Sequence, residues 1–401
     1  MEWLSRMRAW FSGGERVTVV EVADGYIQAA ALHIRFEERQ FKVERCVRWE
    51  GDVMEQAIRK DAFMWLRRAL GRTRTRTLFA VDPVFATTVQ STVAIVRTRP
   101  RDPIDEADLT NIIAQALWKF FDRSRARAAM KMRVGELEVA LTDARVRQLS
   151  LDGHRIVNPL GFTAKTVEVE LTLTMSTHAF LAEIHGAAPQ GVAVMVAEYG
   201  MLAVESLARV YGARALLFVG VLPDRTDVFA ADGASRGYVD SFPWGYRALG
   251  DALAVQLGVD RMNAEDILMR LTRRAGSPRF LKRTERILLE EFGTFAHGLA
   301  AHLDRVGARD VYIGSAVRFP DVVYAPAFAR RIHRRARLIG MDADTLFRDF
   351  HGALTVAGKA AIQNQFRTVA AALGFYLLPK NDTLIETTIA RHTRWLGTAE
   401  R

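Results

Sequence analysis

The chain is short of three things. Its one cysteine, Cys46, allows no disulfide framework and no thiolate metal site within the chain, the pattern of reducing compartments. It has no apolar run of the roughly 18 residues needed to span a bilayer, and its start lacks both an apolar core and an A-x-A-like site. Neither a transmembrane helix nor a secretory signal is expected. Lysine is scarce as well, at 8 against 48 arginines. A net charge of +10 invites an anionic partner. However, so lopsided a ratio is what a GC-rich genome produces, and the arginines spread along the whole chain, so no specific nucleic acid is expected.

What is present is a globular chain. Its 401 residues, 49% hydrophobic and 25% charged, are enough for two or more domains with a large core. At the start, Trp3, Leu4, Met7, Trp10 and Phe11 fall on one stripe of a short helix, with Arg6 and Arg8 off it and Gly13-Gly14 ending it. Tryptophans facing arginines suit an anionic membrane surface, so these seven residues are the expected membrane contact. The alternative is a terminal helix docked on protein. One such helix binds weakly, which favours several copies in an oligomer or polymer.

Alternating β-branched stretches at 16–22, 27–34 and 40–47 predict a strand meander around an Asp24-Gly25 turn, followed by a helix over 53–70 and strands at 78–81 and 87–96. After the basic, proline-bearing joint Arg97–Pro103, a helix is expected from Ile104 to about Arg127. Strands at 137–142, 145–151 and 166–175 follow. This block reads as a small inserted α+β unit. A helix at 178–186, a strand at 192–196 and a helix at 202–210 come next. A second meander starts at 215–222 and 226–231, with helices at 247–257, 264–273, 283–303 and 326–337, and a closing helix at 384–396. The arginine-rich clusters Arg72–Arg76 and Arg330–Arg337 read as a loop and a helix face. No H-E-x-x-H, G-x-S-x-G or P-loop pattern occurs. His297, His302 and His333 read as structural or solvated.

Several stretches resemble the bacterial cell-division actin homologue FtsA, of the actin/Hsp70/sugar-kinase superfamily. These are Pro103–Asp108; Glu138–Met175 with Asp152-Gly153 and Asn158-Pro159-Leu160-Gly161; Thr226-Asp227, Phe242–Gly245 and Ala264–Ile267; and Val311–Ala316. The resemblance covers about 16–340. It implies an α/β fold of duplicated actin-like (ribonuclease-H-like) halves with an inserted small α+β domain. The implied divisions are 1–14 (N-terminal helix), 15–96 and 178–213 (first half), 97–177 (insertion), 214–380 (second half) and 381–401 (closing helix).

The resemblance also implies ATP with Mg²⁺ between the halves. By family position the nucleotide residues are Glu21, Asp24, Gly25, Glu198, Gly220, Arg225, Thr226, Asp227, Gly245, Glu265, Gly314 and Ser315. Such a site needs glycine-rich turns that aim backbone N–H groups at phosphates. Here the second turn reads Gly220-Val221-Leu222-Pro223-Asp224-Arg225, and Gly220 is the only glycine between 213 and 232. Pro223 has no N–H to donate. No shift of alignment restores the lost glycines. The expected role is therefore a membrane-associated FtsA-like scaffold with a weak or lost ATP site, lying in the cytoplasm against the inner face of the cell membrane. Its partner would be an FtsZ-like filament or another divisome protein. Arg270, Arg273, Arg274 and Lys282, with Arg279 and Arg283 beside them, are the candidate basic contact for an acidic tail. Two alternatives stand: a PilM-like adaptor of type IV pilus or secretion assembly, whose family receives a short peptide from a membrane partner, and an active ATPase or kinase.

Overall fold

The computed structural model describes residues 14–70, 76–188, 192–212, 215–232, 235–272, 275–315, 317, 319–356, 366–377 and 383–397. The expected N-terminal helix, Arg273, Arg274 and Ala316 lie outside these. In chain order the elements are β1 (Glu15–Ala23), β2 (Tyr26–Arg35), β3 (Gln40–Glu50), α1 (Gln56–Leu70), β4 (Arg76–Val81), β5 (Ala86–Val96), α2 (Glu106–Met132), β6 (Val139–Leu151), β7 (His154–Ile156) and β8 (Thr166–Thr177). Then come α3 (His178–Ala187), β9 (Val194–Glu198), α4 (Tyr199–Tyr211), β10 (Ala215–Val221), β11 (Thr226–Asp232), β12 (Ser235–Phe242), α5 (Arg247–Leu257), α6 (Arg261–Thr272) and α7 (Pro278–Val306). The chain continues through β13 (Asp310–Ser315), α8 (Pro326–Ile332), β14 (Arg337–Met341), α9 (Ala343–Asp349), β15 (Ala353–Val356), α10 (Phe366–Leu377) and α11 (Thr383–Gly397).

Two compact units emerge. The first joins Met1–Ala62 to Gly200–Tyr376. In it β1, β2 and β3 form the expected antiparallel meander, with β15 added parallel to β3. The second meander, β12-β11-β10, continues through parallel β13 and β14. Helices α5 to α8 cover it around an aromatic core in which Trp244 stands 4.8 Å from Phe295 and Phe292 stands 4.7 Å from Phe319, ring centre to ring centre. Helices α4 and α10 touch backbone to backbone. A Cβ on Gly374 would fall 2.1 Å from the Leu202 carbonyl oxygen, so only glycine fits there.

The second unit is Phe63–Tyr199 with Leu377–Arg401. Strands β4 and β9 pair in parallel, and β5-β8-β6-β7 form an antiparallel sheet. Helix α2 packs its Leu109, Ile112, Ile113, Leu117 and Phe120 side on one face of that sheet. Asp105 caps the helix, accepting the Asp108 N–H at 2.7 Å, and acidic Glu106 and Asp108 suit its positive end. Arg97, from the basic joint, is buried rather than displayed. It donates to Asp108 and to the carbonyls of Ala164 and Asp102, tying the joint to the helix start. Helix α11 belongs to the same core, which takes in Ile385 and Ile389.

Four expectations are corrected. Helix α1 starts at Gln56, with Ala57 exposed and Arg59 buried, its guanidinium held by the Val53 carbonyl at 2.8 Å. The two strands expected at 137–151 are one, β6, whose register shifts near Leu141 and Val146 break the alternation. The basic run Arg330–Arg337 is not one helix: α8 stops at Ile332, and Arg337 opens β14, bound to Asp310 by two contacts of 2.9 Å. Strand β12 was not anticipated, because Gly237 and Asp240 dilute its alternation. Cys46 is a free thiol that burial pushes up to about 12.

Candidate functional site

The first unit brings its two hairpin turns together. The β1–β2 turn is Asp24-Gly25, where Gly25 has φ +86°, a left-handed backbone that favours glycine. The β10–β11 turn runs through Leu222, Pro223, Asp224 and Arg225, closed by the Leu222 N–H on the Arg225 carbonyl at 2.9 Å. The two turns meet through side chains. Pro223 lies against Gly25, where a Cβ would stand 3.6 Å from its Cγ. Leu222, Ala23 and Tyr26 form a small buried apolar cluster. Arg225 spans the turns, 3.1 Å from Asp24 and 3.1 Å from Asp227.

The start of α5 faces the second turn, but its donors are committed. The Tyr246 N–H bonds to the Leu222 carbonyl at 3.0 Å and the Arg247 N–H to the Pro223 carbonyl at 2.9 Å. Arg247 also pairs with Asp224. Gly245 packs closely on the second turn: a Cβ would fall 2.1 Å from the Pro223 carbonyl oxygen. Thr226 donates its hydroxyl to the Trp244 carbonyl at 2.6 Å and is buried. Gly220 sits within β10, paired with Asp227 and Gly314.

Glu21, the family's acidic position, lies at the centre of a buried network. Arg367, at the start of α10, places its Nε 2.5 Å from a Glu21 oxygen. Tyr26 donates its hydroxyl to Glu21, and Thr368 donates to the other oxygen at 3.3 Å. Gln28 donates to the Thr368 hydroxyl at 2.8 Å. The Arg48 guanidinium covers the Tyr26 ring at 3.9 Å. Burial pushes the Tyr26 hydroxyl well above its ordinary value of 10.0.

At the adenine position, Gly314 backs onto an aromatic ring. A Cβ there would be 2.8 Å from Phe366, the neighbour of Arg367, and 3.1 Å from Phe218. The Ser315 hydroxyl accepts the Val317 N–H at 3.2 Å. Glu265 is exposed on α6 and accepts a hydrogen bond from Arg261 at 3.3 Å, while Leu268 on the same helix is core. Arg270 pairs with Asp266 at 2.8 Å. Lys282 lines a cavity of about 420 Å³ with Leu271, Leu281, Phe319 and Asp321.

In the second unit, Glu198 ends β9 fully buried. It accepts the Thr88 N–H and is paired with Lys131 from the last turn of α2 at 3.0 Å. Lys131 also donates to the Thr87 hydroxyl at 2.6 Å. Burial pushes the Glu198 carboxyl up, and Lys131 pulls it back.

Sequence reasoning missed Phe366, Arg367, Thr368, Tyr26, Gln28 and Lys131. The available signal was a lone arginine in the apolar run Phe366–Leu377, since a buried arginine requires an acidic partner.

No sequence-family profile and no curated protein matches the chain. Solved structures do. A chain of a PilM–PilN type IV pilus biogenesis complex matches with TM-score 0.54 at 12% identity, over 91% of this chain and 99% of that one. The ethanolamine utilization protein EutJ from Carboxydothermus hydrogenoformans gives 0.40 at 11%, over 90% and 89%. A Bacteroides thetaiotaomicron protein with an actin-like ATPase fold and unknown function gives 0.39 at 6%, over 85% and 97%. The chain therefore has the mixed α/β actin-like ATPase fold.

Proposed function

We propose that this protein is a nucleotide-independent assembly adaptor on the actin-like fold, acting as a PilM-type component of a pilus or secretion machine at a membrane. The observation that carries the reading is the internal occupation of the family's nucleotide positions. Arg367 puts a guanidinium on the carboxylate that would face Mg²⁺, and Phe366 puts a ring on the glycine that would admit adenine. Leu222 and Pro223 fill the turn that would cradle phosphates. Asp24, in the first turn, adds a negative charge held by Arg225. These residues do not fit Mg-ATP, so the fold acts through its surfaces. The match to the pilus biogenesis complex supports the choice of machine.

A second reading, an FtsA-like division scaffold, is favoured by one local feature. The family-like words at 152–166 are structurally engaged: Asp152 accepts the N–H groups of Thr166 and Lys165 at 2.8 and 3.1 Å, and Asn158 accepts that of Leu160 at 3.0 Å. Under that reading, charge reversal of Arg273 and Arg274 weakens binding of an acidic FtsZ-type tail. The division-scaffold reading puts the protein on the cytoplasmic face of a membrane through Trp3, Trp10 and their neighbours, whereas a PilM-type adaptor takes its membrane contact from its partner. No described helix is long and apolar enough to cross a membrane.

Three measurements test this. Mg-ATP is expected to leave the unfolding temperature unmoved, and clear stabilisation would revive an ATPase or kinase. Co-purification from native cells is expected to recover a pilus or secretion membrane protein, and recovery of FtsZ instead selects the division scaffold. Trp3→Glu with Trp10→Glu is expected to abolish sedimentation with anionic vesicles, and full retention would make the segment a protein-docked helix.

A further inference from the structure

We propose that the outward face of α2 is a docking surface for an acidic amphipathic helix of a protein partner. Two adjacent rows run along this face at four-residue spacing, which places each row on one side of the helix. One row is Trp118, Asp122, Ala126 and Met130, the other Lys119, Arg123 and Arg127, and all seven are exposed. Trp118 is 41% and Met130 75% exposed, and Leu137 just beyond the helix is 85% exposed. A core helix normally turns such residues inward, and here the inward side is already filled by Ile112, Ile113, Leu117 and Phe120.

The three cations have no acidic partner among the described residues. By contrast, neighbouring Arg125 pairs with Glu136, and Lys131 with Glu198. Tryptophan, methionine and arginine are the residues enriched in protein interfaces. Paired rows at four-residue spacing are the ridges that a second helix packs against. The charge of the second row requires carboxylates on the partner. Asp122, within the apolar row, and Glu136 and Glu138, flanking Leu137, would meet repulsion from an anionic bilayer. A protein can place a basic residue opposite each. This surface belongs to the second unit and does not depend on the nucleotide reading.

The test places a photo-crosslinking amino acid at Met130 of the full chain in its native cell. The expected adduct is a protein segment of net negative charge with apolar residues every three or four positions. Arg123→Glu with Arg127→Glu is expected to cut its yield about tenfold at an unchanged unfolding temperature. If that pair unfolds the chain, Lys119→Glu carries the same comparison. A lipid adduct, a segment without net negative charge, a yield indifferent to charge reversal, or no adduct above that from a crosslinker at exposed Val255 would each overturn the proposal.

Discussion

The Arg367 guanidinium lies 2.5 Å from the Glu21 carboxylate inside the first unit, with the two side chains 3% and 1% exposed. A charge so deeply buried costs several kcal/mol to desolvate, and its ion partner offsets a large part of that cost. Arg367→Met leaves Glu21 uncompensated and is expected to cost about 3–5 kcal/mol, as is Glu21→Gln for the converse reason. The double variant is expected to recover most of the loss. Denaturant unfolding of the four proteins measures the coupling, and strict additivity would show that the pair is not the unit that matters.

Lys131 and Glu198 give a pH-dependent counterpart. Burial holds the Glu198 carboxyl above its ordinary value of 4.5, against the pull of Lys131. Lys131→Met removes that pull and raises the carboxyl further. A carboxyl raised on folding binds more protons in the native state, so its contribution falls as pH rises from the ordinary value through the folded one. The variant is expected to approach the parent in acid and to lose about 3 kcal/mol at neutral pH. Unfolding temperature against pH checks the sign.

Phe366 and Gly314 are complementary in shape. Gly314→Ala sets a methyl 2.8 Å from the ring. Phe366→Ala empties the space, for about 3–5 kcal/mol. Combining them is expected to cost less than the sum of the two, since each relieves the other's fault. Neither variant is expected to gain ATP affinity by calorimetry, because Pro223 and Leu222 remain.

Asp152 tests the loop shared with the division-protein words. Two backbone N–H groups, from Thr166 and Lys165, hold its carboxyl below the ordinary 3.8. A carboxyl lowered on folding stabilises above its unfolded value, and the contribution is lost as pH falls through the folded one. The gap in stability between parent and Asp152→Ala is therefore expected to be widest at neutral pH and to close below 3.8. A gap constant with pH would assign the effect to backbone conformation alone.

What was legible in the sequence follows the physics of each signal. The meanders, α2 and α5 were readable because periodicity is local. The degenerate turn was readable because missing glycines between 213 and 232 need no alignment. The ion pair of Glu21 with Arg367 was not, since nothing near either residue names a partner almost a chain length away. Strand β14 was hidden because Arg337 continues a basic run that also suits a helix. The close approach of Gly245 to the Pro223 carbonyl, where a Cβ would stand 2.1 Å from the oxygen, was not legible either, because it is a contact between distant turns.

Helix α11 has a consequence for how the protein is made. Its Ile385 and Ile389 complete the core over the sheet β5-β8-β6-β7, but the whole of Gly200–Tyr376 is synthesised in between. During translation that sheet waits with part of its apolar face uncovered while Gly200–Tyr376, which belongs to the first unit, is made. Long-range closure of this kind is slow and exposes aggregation-prone surface. A ribosome stalled before residue 383 would carry a half-roofed domain, and truncation there would fail first by misfolding, before any partner is met.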